Sequence, residues 1–303
     1  MRVDVVCIAS WNVDLIAHIP GPLLRGQTQM AQGFERLPGG KGSNAAIAAA
    51  RQGAQVGLIA RIGGDDFGQM GLDLWAREGI ASQHVVRGEG ESNGTALILV
   101  YDDGDNSIAV YPGAGAGLTA AHVHAASNML AQARVVMASC EVPLAATQAA
   151  FEIARAHGVL TLLNPAPAMP LPDALWPLVD VLTPNEGELL ALTGQADTET
   201  AARHLLERGV GTVVVTLGAK GCGLYRPGEP ALTVPGHPMK VADTIGAGDT
   251  FNGSLAASLA RGDAWAAALR DANAAAALST QAHGAVSAMP TRQAVVDWLQ
   301  RQP

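Results

Sequence analysis

One segment of the sequence places small residues and a carboxylate at the predicted start of a helix. It reads Asp243-Thr244-Ile245-Gly246-Ala247-Gly248-Asp249-Thr250-Phe251 and runs into an apolar, alanine-rich stretch. Glycines let backbone N–H groups turn outward and approach a ligand closely, because no Cβ obstructs them. The positive end of the helix dipole then favours a phosphate. Asp249 would lie beside that anion and accept a proton from an attacking hydroxyl, so the segment indicates phosphoryl transfer to an alcohol.

A second glycine-rich loop precedes another predicted helix, near the start of the chain. It reads Gly39-Gly40-Lys41-Gly42-Ser43-Asn44. It is not a Walker A loop, because Lys41 is followed by glycine rather than Ser or Thr. Lys41 and Asn44 offer donors that suit a polyhydroxylated ligand or a phosphate. Either loop alone could be an ordinary turn with a capping residue, but the two together favour a functional site.

The elements that must position these loops alternate along the chain. Predicted strands span 3–9, 56–62, 135–139, 159–163, 179–182, 212–217 and 222–225. Predicted helices span 43–52, 66–78, 120–131, 144–157, 186–192, 200–208, 249–260, 264–282 and 292–300. This alternation indicates an α/β fold in which helices cover both faces of a mostly parallel sheet.

Two further segments predict a small sheet outside the main layers. The stretch 12–38 lacks a helical period and contains several turn residues. The runs 94–101 and 107–111 are rich in β-formers and flank Asp102-Asp103-Gly104-Asp105-Asn106, which indicates a hairpin. From the residues alone, this acidic turn could equally belong to an ordinary exposed hairpin.

Polar residues follow several predicted strands, where ligands collect in an open α/β sheet. They are Asn12 and Asp14 after the first strand, Glu141 after 135–139, Asn185 and Glu188 after 179–182, and Gly218 after 212–217. Their common placement predicts one shared cleft.

Composition excludes several classes of function. The formal net charge is −8 and the 19 Lys and Arg residues are scattered, which argues against a nucleic-acid partner. Cys7, Cys140 and Cys222 are far apart and form no Cys-x-x-Cys, so we expect buried free thiols and a cytoplasmic location. We expect no signal peptide and no membrane partner, because no apolar run is long enough. His122 and His124 lie two apart on a predicted helix and point in different directions, so we expect solvated histidines rather than a zinc site.

The two glycine-rich loops together resemble the paired signatures of the ribokinase-like (PfkB) carbohydrate kinases. The resemblance spans nearly the whole chain, since further pieces occur in the family's order. They are Asn12-Val13-Asp14, Gly94-Thr95-Ala96, Glu141, Asn164-Pro165-Ala166-Pro167-Ala168, Thr183-Pro184-Asn185-Glu186-Gly187-Glu188 and Thr216-Leu217-Gly218-Ala219-Lys220-Gly221. The resemblance implies a single three-layer αβα kinase domain over 1–303, with lid segments at about 12–38 and 93–112. It also implies that two lids pair into a homodimer.

The resemblance assigns roles to individual residues. Asp249 would be the base, with the N–H groups of Gly246, Ala247 and Gly248 as the anion hole. The sugar would contact Asn12, Asp14, Gly40, Lys41, Asn44, Glu141 and Asp249. ATP would contact Asn185, Thr216, Gly218, Gly221, Gly248 and Asn273, which we place early in its helix. Mg²⁺ would be held mostly through water by Asn185 and Glu188, whose alternative interpretation is a helix cap and a solvated acid. A monovalent cation, K⁺, would bind at Asp243, Ile245, Ser279, Ala282 and Gly284.

Within the family, the Asn-Pro-Ala-Pro-Ala run and the Gly-Gly-Lys-Gly loop resemble the ribokinase branch more than the fructokinase, adenosine-kinase or phosphofructokinase branches. We therefore expect an ATP-dependent kinase for a primary hydroxyl of D-ribose. The alternatives are another sugar or nucleoside kinase and, more remotely, a non-catalytic sensor. Two departures bear on this: Ala288 stands where the cation loop usually has Ser, and Trp11 is unusual before Asn12. We expect Trp11 to reshape the sugar pocket, where it would either stack on a nucleobase or block it.

Overall fold

The computed structural model describes residues 3–302. The strands are β1 (Val5–Ala9), β2 (Asn12–Ile19), β3 (Gly33–Gly39), β4 (Val56–Gly63), β5 (Ala81–Gly88), β6 (Gly94–Tyr101), β7 (Asn106–Tyr111), β8 (Val135–Ser139), β9 (Leu160–Asn164), β10 (Val181–Leu182), β11 (Thr212–Thr216), β12 (Gly221–Tyr225) and β13 (Leu232–Pro235). The helices are α1 (Lys41–Arg51), α2 (Asp66–Arg77), α3 (Ala120–His124), α4 (Ser127–Gln132), α5 (Leu144–Ala156), α6 (Glu186–Thr193), α7 (Thr198–Glu207), α8 (Ala247–Arg261), α9 (Trp265–Ser279), α10 (Ala285–Ala288) and α11 (Arg292–Gln300). Short 3-10 segments span Gly113–Gly117, Asp173–Leu178 and Gly218–Lys220.

The main sheet has nine strands in the order β13-β12-β11-β10-β9-β8-β1-β4-β5. Its strands from β11 to β5 run parallel, whereas β12 and β13 pair antiparallel at one edge. Parallel strands need helical crossovers, and these cover both faces of the sheet. The predicted mostly parallel sheet is confirmed.

The hydrophobic core lies in two layers, one on each face of this sheet. Alternate side chains of β1 divide between them: Val5, Cys7 and Ala9 pack in one layer, and Val6 and Ile8 pack in the other. Helices α1, α8 and α9 cover the first face and α5 covers the second. The fold is therefore a three-layer αβα sandwich.

A separate sheet of four strands lies in the order β3-β2-β6-β7. Its strands match the segments 12–38 and 93–112 that the sequence singled out, except that β3 extends to Gly39. Strand β2 pairs antiparallel with β3 and parallel with β6, and β6 and β7 form the predicted hairpin. The pair Asn12 and Gly94 opens the β2–β6 ladder, so this sheet begins at the carboxyl end of β1.

Some predicted elements differ from the structure. The predicted helix 120–131 is two short helices, α3 and α4, because Ala126 leaves helical geometry with φ −104° and ψ 12°. This break lets Val123, Ala126 and Leu130 all reach the core. Strands β5 and β13 were not predicted, since both lie at the edges of the main sheet and carry few buried side chains. Within residues 3–302, no helix has the length and apolar character needed to cross a bilayer.

Candidate active site

A cavity of about 510 Å³ opens at the carboxyl ends of the parallel strands. It gathers polar residues from strand β2, the two glycine-rich loops, the connections after β8 and β10, and the end of β11. The predicted residues that line it are Asn12, Asp14, Gly40, Lys41, Asn44, Glu141, Asn185, Glu188, Thr216, Ile245, Gly246, Gly248 and Asp249. The shared cleft expected from the sequence is therefore present.

The N-terminus of α8 forms one wall of this cavity. The helix begins at Ala247, two residues earlier than predicted, and its N-cap Gly246 has φ 75°. A Cβ at Gly246 would come within 2.6 Å of the Ala285 side chain, so only glycine fits there. A Cβ at Gly248 would meet no protein atom within 4 Å. Gly248 is therefore not required by packing and leaves space beside the helix tip for a ligand.

The backbone N–H groups at this tip are not all free. The N–H of Ala247 donates to the carbonyl of Thr244 at 3.2 Å, and that of Thr250 donates to Gly246 at 2.8 Å. Within residues 3–302, the N–H groups of Gly248 and Asp249 have no acceptor. These two N–H groups, rather than that of Ala247, are positioned to receive an anion.

Asp249 lies in the first turn of α8 and is only 7% exposed. Burial raises the pKa of its carboxyl group to about 6, and the negative charges of Glu141 and Glu188 add to this effect. Lys41 and a hydrogen bond from Asn44 Nδ2 to Asp249 Oδ2 (2.9 Å) oppose the shift. Asn44 holds one carboxylate oxygen, which leaves Oδ1 to accept a proton from a hydroxyl in the cavity.

Glu141 anchors the loop that opens α1. Its Oε2 accepts hydrogen bonds from Ser10 Oγ and from the N–H of Lys41, both at 2.7 Å. Ser10 Oγ in turn accepts from the N–H of Gly42 at 3.1 Å. One carboxylate thus fixes the loop while its second oxygen remains available to a ligand. Ser10 was not assigned to the site from the sequence, although it directly precedes Trp11 and Asn12.

Asp14 and the second sheet complete the cavity. Burial and then the charge of Glu141 raise the pKa of the half-buried Asp14 to about 6. Apolar side chains of β6 and β7 also line the cavity, namely Ala96, which pairs with Asp14 in the β2–β6 ladder, and Ile98, Ile108 and Val110. A ligand that carries both hydroxyl and C–H groups matches this mixed lining.

Asn185 and Glu188 form a reciprocal capping box at the start of α6. Asn185 Oδ1 accepts from the N–H of Glu188, and Glu188 Oε2 accepts from the N–H of Asn185, both at 2.8 Å. The alternative interpretation of Asn185 as a helix cap is therefore confirmed, whereas Glu188 is a half-buried capping partner rather than only a solvated acid. Both side chains also line the cavity, where Glu188 Oε1 remains available.

A second cavity of about 330 Å³ adjoins the first and shares Thr216, Thr244 and Gly248 with it. It contains Gly218, Gly221 and Asn273 of the predicted nucleotide site, and its remaining walls are mainly apolar. Asn273 lies in the middle of α9 rather than early in the helix. Its Nδ2 donates to the carbonyls of Val234 and Pro235 at 3.2 and 3.3 Å, which ties β13 to α9.

The predicted cation loop is only partly assembled. Asp243 accepts from the N–H groups of Ile245 and Gly284, both at 2.9 Å, so these three residues lie together. Ser279 donates to the carbonyl of Ala276, and Ala282 is exposed. Among residues 3–302, no cluster of three or more His, Cys, Asp or Glu could hold a metal ion.

The position of the Trp11 side chain differs from the one expected from the sequence. Its side chain is 3% exposed and donates from Nε1 to the carbonyl of Phe67 at 2.9 Å. It packs edge-to-face on Trp75 with ring centroids 5.6 Å apart. The expectation that Trp11 shapes the sugar pocket is wrong, because Trp11 turns into the core and leaves Asn12 to face the cavity.

Three other residues were missed or weighed differently. Asn164 and Asn252 line the cavity without having been assigned from the sequence. Their signal was position, since Asn164 ends strand β9 and Asn252 lies three residues after Asp249 in α8. His122 accepts from the N–H of Thr119 at 3.1 Å and so helps to cap α3.

The free thiols are confirmed, since all three cysteines are unpaired and buried.

Comparison with known proteins places this chain in a family. The profile described as pfkB family carbohydrate kinase matches residues 2–292. The chain is 37% identical over 305 aligned positions to a ribokinase of Haemophilus influenzae, covering 99% of each. It is 33% identical over 305 positions to a deoxyribokinase of Salmonella typhi, covering 98% of each.

Its fold is also similar to that of a solved kinase. The structure of Arabidopsis thaliana ribokinase complexed with ribose and ATP superimposes with a TM-score of 0.94 at 29% identity, with complete coverage of both chains. The profile match, the identities and the site at the tip of α8 agree. The chain belongs to the pfkB family of carbohydrate kinases and is a phosphotransferase that acts on a sugar hydroxyl.

Proposed function

We propose that this kinase transfers the γ-phosphoryl group of ATP to the primary hydroxyl of D-ribose and produces ribose 5-phosphate. The observation that carries the proposal is the joint position of Asp249 and the two free N–H groups at the tip of α8, between the two cavities. The ribokinase relatives and the ribose- and ATP-bound neighbour support the choice of substrates. The deoxyribokinase relative makes 2-deoxyribose the second candidate.

Each cavity would take one substrate. The sugar would occupy the 510 Å³ cavity, where carboxylates and amides match vicinal hydroxyl groups and the apolar residues of β6 and β7 face its C–H groups. The nucleotide base would occupy the mainly apolar 330 Å³ cavity, and its phosphates would extend past Gly248 to the helix tip. A Cβ at Gly248 would fill that path.

In the reaction, Asp249 Oδ1 would orient the hydroxyl and remove its proton. Such general-base assistance contributes on the order of 10²–10⁴ in rate. The N–H groups of Gly248 and Asp249 would stabilise the charge of the transferring group, and Lys41 would offset the surrounding carboxylates. Asn44 would keep the base in its productive orientation through the bond to Oδ2.

Two cations are part of the proposal. Mg²⁺ dehydrates reluctantly and usually binds through water and substrate phosphates. The single free oxygen of Glu188 fits such an outer contact, with Asn185 beside it. When bound, Mg²⁺ would neutralise phosphate charge. For K⁺ the support is the assembled loop of Asp243, Ile245 and Gly284, with the carbonyls near Ser279 and Ala282 as further candidates.

We further propose that the four-stranded sheet is a lid and that two lids form a homodimer. Several large apolar side chains of this sheet are exposed, among them Phe34 at 66%, Leu97 at 54% and Tyr111 at 59%. Burying them in a partner would remove apolar area from water. Light scattering tests this assignment, since a monomer at micromolar concentration would contradict it. The buried free thiols support a cytoplasmic location.

A coupled spectrophotometric assay tests the proposed function. D-Ribose, 2-deoxyribose, fructose and adenosine are each supplied with Mg-ATP. The proposal requires the highest kcat/KM for D-ribose. A preference for adenosine or fructose would assign the enzyme to another branch, and binding without turnover of any substrate would indicate a sensor.

A further inference from the structure

The four-stranded sheet joins the main domain through two connections that a cluster of polar residues fastens together. Residues 89–93 lead from β5 into β6, and residues 112–117 follow β7. The cluster consists of Arg61 in β4, Asp65 just after β4, and Glu91 and Asn93 on the first connection. We call these four residues the hinge clamp. None of them has a role in the chemistry described above.

Arg61 holds both connections at once. Its guanidinium group forms a bidentate ion pair with Glu91, with N–O distances of 2.7 and 2.5 Å. The same group donates to the carbonyl of Ala114 on the second connection at 2.7 Å. This pairing raises the pKa of Arg61 and lowers that of Glu91. The planar fork of arginine matches the carboxylate in a way that a lysine could not.

Asn93 fastens the first connection from the other side. The residue is 1% exposed, and its Oδ1 accepts from the N–H of Gly63 at 3.1 Å. The backbone N–H of Asn93 donates to Asp65 Oδ2 at 2.8 Å, while Asp65 Oδ1 caps α2 through Gly68. The backbone N–H of Ala114 donates to the carbonyl of Ser92 at 2.9 Å, and this hydrogen bond joins the two connections directly.

The hinge clamp lies next to Asn12, a residue that lines the sugar cavity. Gly94 follows Asn93 and pairs with Asn12 in the β2–β6 ladder. A Cβ at Gly94 would lie 2.2 Å from Asn12 Oδ1, so the backbone of Gly94 directly supports the Asn12 amide. Ala96 and Ile98, further along the same strand, also face the cavity. A shift of the connection therefore moves both a polar and an apolar contact of the sugar.

We propose that the hinge clamp positions Asn12 and strand β6 for the sugar, which makes Arg61, Glu91 and Asn93 positioning residues of the reaction. The inference rests on the proposed function, because it takes this cavity as the sugar site. It predicts that weakening the clamp impairs sugar binding more than nucleotide binding, since Asn12, Ala96 and Ile98, which the clamp supports, line the first cavity and not the second.

Glu91→Gln is the main test, because it keeps size and removes charge at a half-exposed position. We expect the KM for the sugar to rise about fivefold to tenfold, with kcat and the KM for ATP unchanged within about twofold. Arg61→Gln should act in the same direction. The double variant should be no worse than Arg61→Gln alone, because both changes break one shared contact.

Glu199→Gln is the matched control. It breaks the pair of Glu199 with Arg203 (2.7 Å) on the exposed surface of α7, and it should leave every constant unchanged. A lowered Tm with an unchanged sugar KM would overturn the inference and reduce the clamp to a structural contact. Equal increases in the two KM values would overturn it as well.

Calorimetric titration with D-ribose in the absence of nucleotide separates the two proposals. A wild type that binds ribose in this titration but shows no turnover with Mg-ATP in the coupled assay would refute the proposed function, and the Kd values of wild type and Glu91→Gln would still test the clamp. A Kd for Glu91→Gln equal to that of the wild type would refute the clamp while leaving the kinase assignment intact.

Discussion

Replacing Asp249 by Asn should separate catalysis from both binding and stability. The amide keeps the shape of the carboxylate and can still accept the hydrogen bond from Asn44, but it cannot take up a proton at neutral pH. We therefore expect kcat to fall by at least about 10²-fold, while the Kd for the sugar changes little.

The same change should stabilise the fold. The pKa of Asp249 is about 6 in the folded state instead of 3.8, because burial disfavours the charged carboxylate. Below pH 3.8 the group is protonated in both states and costs nothing. The free-energy cost of ionising the buried carboxylate grows as pH rises from 3.8 to about 6, and above pH 6 it lowers the stability of the fold by about 3 kcal/mol. Asp249→Asn removes that cost, which corresponds to a Tm increase of roughly 5 °C at pH 8.

Differential scanning fluorimetry at pH 8 and pH 4, combined with steady-state kinetics, measures both effects. The gain in Tm should be present at pH 8 and largely absent at pH 4. Asp14→Asn is the control, since the pKa of Asp14 is also raised to about 6 but the residue has no role as a base. It should raise the KM for the sugar and keep most of kcat. Near-wild-type kcat in Asp249→Asn, or a loss of stability at pH 8, would refute the reasoning.

Three other predictions concern individual residues. Asn44→Leu removes a hydrogen bond that lowers the pKa of Asp249. The acidic limb of the pH profile of kcat/KM, expected near pH 6 in the wild type, should therefore move up by about one pH unit, and an unmoved limb would contradict this. Glu188→Gln should raise the Mg²⁺ concentration needed for half-maximal rate about tenfold with the sugar KM unchanged, and equal Mg²⁺ dependence would remove Glu188 from the metal site. Burial raises the pKa of Cys222 to about 11, so this thiol should resist a thiol reagent in the native state and react after denaturation; rapid native labelling would contradict its burial.

The layered fold could be predicted because its pattern is local. Strands such as Val135–Ser139 are continuous apolar runs, and the helices between them end at glycines. Edge strands β5 and β13 could not be predicted in this way, since they are paired on one side and partly solvated. The break at Ala126 also escaped prediction, because burial against the core decides it rather than local propensity.

The residues that line the site could be predicted from the sequence, but the hydrogen bonds among them could not. The two glycine-rich loops and the polar residues after the strands identified the residues that line the cavity. The sequence could not show that Ala247 N–H is already bonded, or that Glu141 holds the α1 loop through Ser10. It also misplaced Trp11, since an aromatic residue beside a site gives no sign of which way it turns. Such contacts join residues far apart in the chain and depend on the assembled fold.

The most direct test of the account is a crystal structure with D-ribose and a non-hydrolysable ATP analogue. We predict that the γ-phosphate accepts hydrogen bonds from the N–H groups of Gly248 and Asp249, with the primary hydroxyl of the sugar bonded to Asp249 Oδ1. A γ-phosphate bound away from the tip of α8, or a sugar whose hydroxyl groups do not reach Asp249, would contradict the proposed mechanism.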